Sequence, residues 1–196
     1  MREARWSRAD ESLQAQTRIL NAAGRAFFAH GVGPTTMSDV AQEAGCSRAT
    51  LYRYFRTRED LHVAFVALRG RELALEMIER VGPSDDPEKR WRNLIQESVR
   101  AVRMQPELLV WFEPEQVGHT ARLSRGSELL EALALGFMDS VASPRSVAAE
   151  GKLLIRWMIR IIISLLSMPG ESAQEEREII DRFVLPGLAE NSLSDR

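Results

Sequence analysis

Cysteine occurs once in the 196 residues, at Cys46. One thiol excludes an intramolecular disulfide and any metal site built on cysteines. The three histidines, His30, His62 and His119, are too scattered to form a metal motif. A glycine-rich phosphate loop, a nucleophile elbow and a paired acid and base are all missing, so no catalytic residue, cofactor or metal is expected. Long apolar runs are missing too. The most apolar stretch, Leu153 to Leu166, is 14 residues long and is interrupted by Arg156 and Arg160. A membrane span needs about 20 apolar residues with few charges, so this stretch reads as a buried interface helix. The first residues, Met1-Arg-Glu-Ala-Arg-Trp-Ser-Arg8, hold no apolar h-region, so no secretory signal is expected and the chain reads as cytoplasmic. Strand-like alternation and internal repeats are absent as well.

What is present is ordinary in bulk and uneven in placement. Hydrophobic residues make up 44% and charged residues 28%, the proportions of a globular protein, and the net charge is only −2. Residues 1–60 carry 9 Arg against 7 acids, whereas residues 61–196 carry 17 Lys and Arg against 21 acids. A mildly basic head on an acidic body suits a DNA-binding module joined to a domain with another partner.

Apolar periodicity predicts helices nearly throughout, about nine, and hence an all-α fold. The first runs from Ser12 to His30, with Ile19, Ala22, Ala23, Ala26 and Phe27 on one stripe. Gly31 stops it and Gly33-Pro34 turns the chain. Thr36 with Asp39 caps a second helix that Gly45 ends. Ser47 caps a third. Thr57 with Asp60 caps a fourth, which runs to about Val81. The loop Gly82 to Pro87 separates it from a fifth helix reaching about Met104. Pro106 opens a short helix ending near Pro114. Residues 120–142 form another, Ser143-Pro144 starts the next, and Pro169-Gly170 ends it. Ser172 with Glu175 caps the last, which reaches Leu185. The expected domains are 12–58 and 59–190, linked by the helix 59–81.

Thr36 to Phe55 reads as two short helices joined by a tight turn at Gly45-Cys46. Between Glu43 and Glu59 there is no acid, but there are four arginines, Arg48, Arg53, Arg56 and Arg58. Such a helix suits the major groove of DNA. Val40, Ala41 and Leu51 would lock the two helices together. Ser47, Arg48, Ala49, Thr50, Tyr52 and Arg53 would face out. Arg48 can donate two hydrogen bonds to a guanine, Ala49 allows close approach, and Thr50 can touch a thymine methyl. Thr36, Tyr52, Tyr54 and Arg58 suit phosphate contacts.

The run Ala41-Gln-Glu-Ala-Gly45-Cys-Ser-Arg-Ala-Thr-Leu51-Tyr-Arg-Tyr-Phe55, followed by Arg58-Glu-Asp-Leu61, resembles the DNA-binding domain of the TetR family of transcriptional regulators. The helix from Thr17 to Gly31 and Thr35-Thr36 after it match as well. The resemblance covers about residues 14–70. It departs at Cys46, where an apolar residue is usual, and at Arg56 and Arg58, where lysines are common. It implies an all-α homodimer in which a C-terminal domain binds a small effector and releases an operator. The protein would then be a repressor acting on double-stranded DNA. The alternatives are a DNA-binding protein without an effector and a helical scaffold that uses the helix-turn-helix as a corner; only a regulator should bind duplex DNA with a steep salt dependence.

The body is less legible. Met104, Leu108, Trp111, Phe112, Phe137, Met138 and Trp157 are candidates to line a mostly apolar effector cavity, although each is individually a plausible core residue. Leu153, Leu154, Trp157, Ile161, Leu165 and Met168 are candidates for the dimer seam, in the place the family's interface helices occupy. Arg156 and Arg160 are expected to pair with acids such as Glu150, Glu176 or Glu178, or else to hold an anionic effector. Arg2, Arg5 and Arg8 read as a solvated tail, with a minor-groove arm as the alternative. Cys46 reads as a small turn residue, with a redox sensor as the alternative.

Overall fold

The structure, a computed structural model, describes residues 3–81, 86–116, 118 and 151–187. Eight α-helices and no strands are found among the described residues: α1 (Glu3–His30), α2 (Met37–Glu43), α3 (Arg48–Tyr54), α4 (Arg58–Val81), α5 (Pro87–Arg103), α6 (Pro106–Leu109), α7 (Gly151–Ser167) and α8 (Ala173–Ile179). The helix expected over 120–142, its successor's start at Ser143-Pro144, and the candidates Phe137 and Met138 lie outside the described residues.

The chain divides into two compact units, Met1–Arg69 and Gly70–Arg196. The core of the first is the expected stripe of α1. Ala22, Ala23 and Phe27 are fully buried, and Ile19, Leu20 and Ala26 nearly so. The alanines hold α2 close to α1, and Val40 and Ala41 close the contact from the α2 side. Phe27 is the anchor. Its ring stands edge-on to Phe65 at 5.2 Å and to His62 at 5.3 Å between centroids. Burying such a side chain contributes about 1.5–3 kcal/mol, and each aromatic pair about 0.5–1.5 kcal/mol more. At the end of α1, Gly31 takes φ +79°, a left-handed conformation that a side chain would resist. Thr35, fully buried, directs its hydroxyl at the Gly31 carbonyl, 2.6 Å away, so the turn carries no orphan oxygen.

α1 begins at Glu3, nine residues before the expected start at Ser12. No glycine or proline breaks the segment, and Glu3, Ala4, Ala9 and Glu11 favour helix, so Ser12 sits inside a helix that was already under way. Residues 3–10 are therefore helical rather than a loose tail.

In the second unit, Trp91, Leu94, Ile95, Val99 and Val102 of α5 face Met158, Leu165 and Leu166 of α7 and Ile180, Val184 and Leu185 beyond α8. Asp86 caps α5 by accepting from the Glu88 and Lys89 N–H groups, and Pro87 opens its first turn. α6 is only one turn long and gives way to a 3-10 turn, Val110–Phe112, so the segment stops short of Pro114. Past Ile179 the last helix widens into a π-helical turn, Ile180–Val184, before regaining α geometry through Gly187.

Ser172 caps α8 as expected, accepting from the Glu175 N–H at 3.1 Å. The Glu175 carboxylate, however, reaches the N–H of Glu171 instead of that of Ser172, so the box is displaced by one residue.

Candidate nucleic-acid interface

The helix-turn-helix is held by local hydrogen bonds that its sequence dictates. At the start of α2 the Thr36 hydroxyl accepts from the Asp39 N–H, and Asp39 Oδ2 accepts from the Thr36 N–H at 2.8 Å. This reciprocal pair is the expected capping box. The Thr36 N–H, and then the Thr36 hydroxyl, hold the Asp39 carboxyl below its ordinary pKa. At the other end of α2 the Cys46 N–H donates to the Ala41 carbonyl and the Gly45 N–H to the Gln42 carbonyl. These are the two bonds of a Schellman motif, with Gly45 at φ +64° in the position that needs it. Cys46 follows as the half-buried residue closing the motif, which accounts for it as a turn residue.

Ser47 then caps α3, accepting from the Thr50 N–H at 3.1 Å. Its oxygen also lies 2.9 Å from the Thr50 hydroxyl. The two hydroxyls thus engage each other, and the methyl of Thr50 is the group left to meet a ligand. Leu51 is fully buried and Phe55 nearly so. They pin one side of α3 to the core, while Ser47, Arg48, Ala49, Tyr52 and Arg53 are exposed. Tyr54 is half-buried, with the Arg53 guanidinium 5.1 Å from its ring centre. The stacking limits how far Arg53 swings.

Two arginines have work that sequence reasoning did not assign. Arg58 donates from Nη2 to the Val32 and Gly33 carbonyls, each 2.6 Å away. It ties the start of α4 to the turn after α1 and leaves Nε and Nη1 for a phosphate. Arg25 donates from Nε to Glu43 Oε1 at 2.6 Å, fastening α1 to the end of α2. Both pairings span 18 or more residues, so no local pattern signals them.

The body candidates fall into different environments. Leu108 and Trp111 are buried, and Phe112 and Trp157 are half-buried. Met104 is 69% exposed at the C-cap of α5, a position that faces solvent and not an enclosed cavity. Of the seam candidates, Leu153 and Met168 are exposed, and Trp157 and Ile161 half-buried. Leu165 is buried within its own protomer, because the exposed stripe of α7 runs through Leu153, Arg160, Ser164 and Met168, a quarter-turn away. The Leu154 side chain is outside the described residues.

Glu176 does not meet Arg156 or Arg160. Both its oxygens accept from Arg103, at 2.6 and 2.9 Å, and Oε1 also accepts from the Gly170 N–H. Arg103 in turn donates to the Leu165 carbonyl. Sequence reasoning missed this clamp of α5 on the α7–α8 turn because its partners are 73 residues apart. The Arg103 bonds, partly opposed by burial and aided by the Gly170 N–H, hold the Glu176 carboxyl below the usual glutamate range.

Residues 19–65 match the sequence profile of bacterial regulatory proteins of the tetR family. An uncharacterised HTH-type transcriptional regulator of Mycobacterium tuberculosis is 35% identical over 191 residues, spanning 97% of this chain and 94% of that protein. Among solved structures, the TetR family repressor AlkX from Dietzia sp., implicated in biodegradation of n-alkanes, superposes with a TM-score of 0.65 at 23% identity, covering 89% of this chain and 95% of that one. RolR in complex with resorcinol gives 0.62 at 17% identity, covering 94% of each chain. At such identities the likeness to the solved structures is one of fold. The long, well-matched relative and the profile over the helix-turn-helix together establish that the chain belongs to the tetR family of bacterial regulatory proteins and is a helix-turn-helix transcriptional regulator.

Proposed function

We propose that the protein is a cytoplasmic repressor that binds a palindromic operator as a homodimer and leaves it when a small, mostly apolar effector enters the body. The observation that carries the DNA reading is the exposed face of α3. Arg48, Ala49, Tyr52 and Arg53 project from a helix fixed at both ends, with no acid between Glu43 and Glu59 to repel phosphate. Arg48 reads a guanine and the Thr50 methyl meets a thymine, while Ser47 sets the helix start. Thr36, Tyr52, Tyr54, Arg53 and the free donors of Arg58 hold the backbone.

Support for an apolar effector comes from the buried Leu108 and Trp111 around the α6 turn, with Phe112 and Trp157 partly accessible. Two proteins of the same fold point the same way: RolR is bound to resorcinol, and AlkX is implicated in n-alkane biodegradation. α4 gives Leu61 and Phe65 to the core of the first unit and Met77 to that of the second, so it is the continuous covalent path for control. Control requires that the effector bind one conformer better than the other, and linkage makes the effect reciprocal. Operator at saturation should therefore weaken effector binding by the same factor by which effector weakens operator binding. Calorimetric titration of effector into the free and operator-bound protein checks this; equal affinities in the two titrations would exclude effector control.

A further inference from the structure

α7 and α8 expose one apolar surface. Leu153 is 67% exposed, Met168 72%, Phe183 73% and Ile179 37%, with half-buried Trp157 and Ile161 between them. The two helices run antiparallel. The Met168–Ser172 turn joins them, and at the far end a methyl on Gly187 would lie 3.5 Å from the Trp157 ring. Ile161 is thus level with Phe183, and Ser164 with Ile179, near the middle of the surface.

One charge sits within this surface. Arg160 is exposed on the flank of α7 turned away from α8, and among the described residues it has no acidic partner. The acids of α8 are mostly engaged. Glu176 is held by Arg103, Asp181 accepts from Arg92 at 2.6 Å, and Glu175 accepts from the Glu171 N–H. Glu178 is the exception. It is exposed, and it accepts only a long 3.4 Å bond from Gln174. Glu178 and Arg160 stand on the outer flanks of their helices, on opposite sides of the surface's middle and at similar distances from it. A two-fold axis through that middle lays α7 of one copy against α8 of the other and brings these flanks together.

We infer that the surface takes a second copy of this chain, and that Arg160 of each copy pairs with Glu178 of the other at its rim, so that charge selects this chain as its own partner. The inference rests on the dimer reading given above. An arginine covered by an interface without a carboxylate would carry a desolvation cost, and pairing at a rim governs which partners are rejected.

The test uses the full chain and two charge reversals on exposed residues, Arg160→Glu and Glu178→Arg. Alone, each puts like charges in contact twice per dimer and should raise the dimer dissociation constant by about tenfold or more. Mixed, the two variants are complementary at both contacts. Native mass spectrometry of an equimolar mixture should then show the heterodimer nearly alone, and the double variant should dimerise like the wild type. A statistical mixture of homodimers and heterodimers would overturn the pairing. Phe183→Asp separates the two readings. If it yields monomers while the reversals leave dimerisation untouched, the surface is the interface and the pairing is overturned; if it stays dimeric, both fall.

Discussion

The double variant Ile161→Asp, Phe183→Asp is expected to sediment as a folded monomer and to lose specific operator binding. Phe183 is largely exposed and Ile161 half-exposed in the protomer, so aspartate at either place meets water in the monomer and an apolar partner only in the dimer. A dimer holds two half-sites at once, and removing that linkage costs about 10²–10⁴ in affinity. Leu165 is the wrong place to test this. It is packed inside its own protomer, and an aspartate there would unfold the second unit before it reported on assembly. Circular dichroism should therefore match the wild type while sedimentation differs. A dimer that survives both substitutions would relocate the interface.

Removing Glu176 should have the largest effect on stability. Glu176→Ala leaves the Arg103 guanidinium facing the Leu165 carbonyl with no carboxylate, and it strips an acceptor from the Gly170 N–H. Breaking a fully buried pair costs about 3–5 kcal/mol. Here the arginine side chain is 34% exposed and the glutamate 12%, so solvent screens part of the loss. About 2–3 kcal/mol is expected, read as a shift of the urea midpoint. The same contact sets a pH dependence. The folded-state pKa of Glu176 is depressed, as is that of Asp39, so each carboxylate contributes stability that is full above its unfolded pKa and is lost as pH falls through the lower folded value. Stability should decline below about pH 4.3, the ordinary glutamate value. In Glu176→Gln that decline should be shallower; an unchanged slope would mean that the clamp does not titrate with folding.

The parts of the fold legible in the sequence were those whose causes are local. Thr36 with Asp39, Ser47, and Gly45 with Cys46 each act within a few residues, so the bounds of α2 and α3 follow from the chain itself. The start of α1 was misplaced because a capping residue inside good helix formers looks the same as one at an end. Long-range polar pairing left no signal at all. Arg103 and Glu176 are surrounded by other arginines and glutamates, and nothing in their spacing marks them as partners. Arg58 was assigned to phosphate by its neighbourhood, yet it also satisfies two carbonyls from an earlier turn. The exposed face of α7 depends on where α5 and α8 pack, and periodicity alone put Leu165 on it. The π-helical turn that follows Ile179 likewise reflects packing, not composition.

The central claim, that α3 reads sequence in a two-fold arrangement, is tested most directly by selecting bound duplexes from a random pool, with the wild type and Arg48→Ala side by side. The wild type should enrich an inverted repeat whose half-site centres lie about 34–36 Å apart or at a multiple of that distance. Arg48→Ala should bind about 1–3 kcal/mol more weakly and lose its preference at one base pair per half-site, the others being retained. Failure of the wild type to enrich any sequence, or an unchanged preference after Arg48→Ala, would contradict the account.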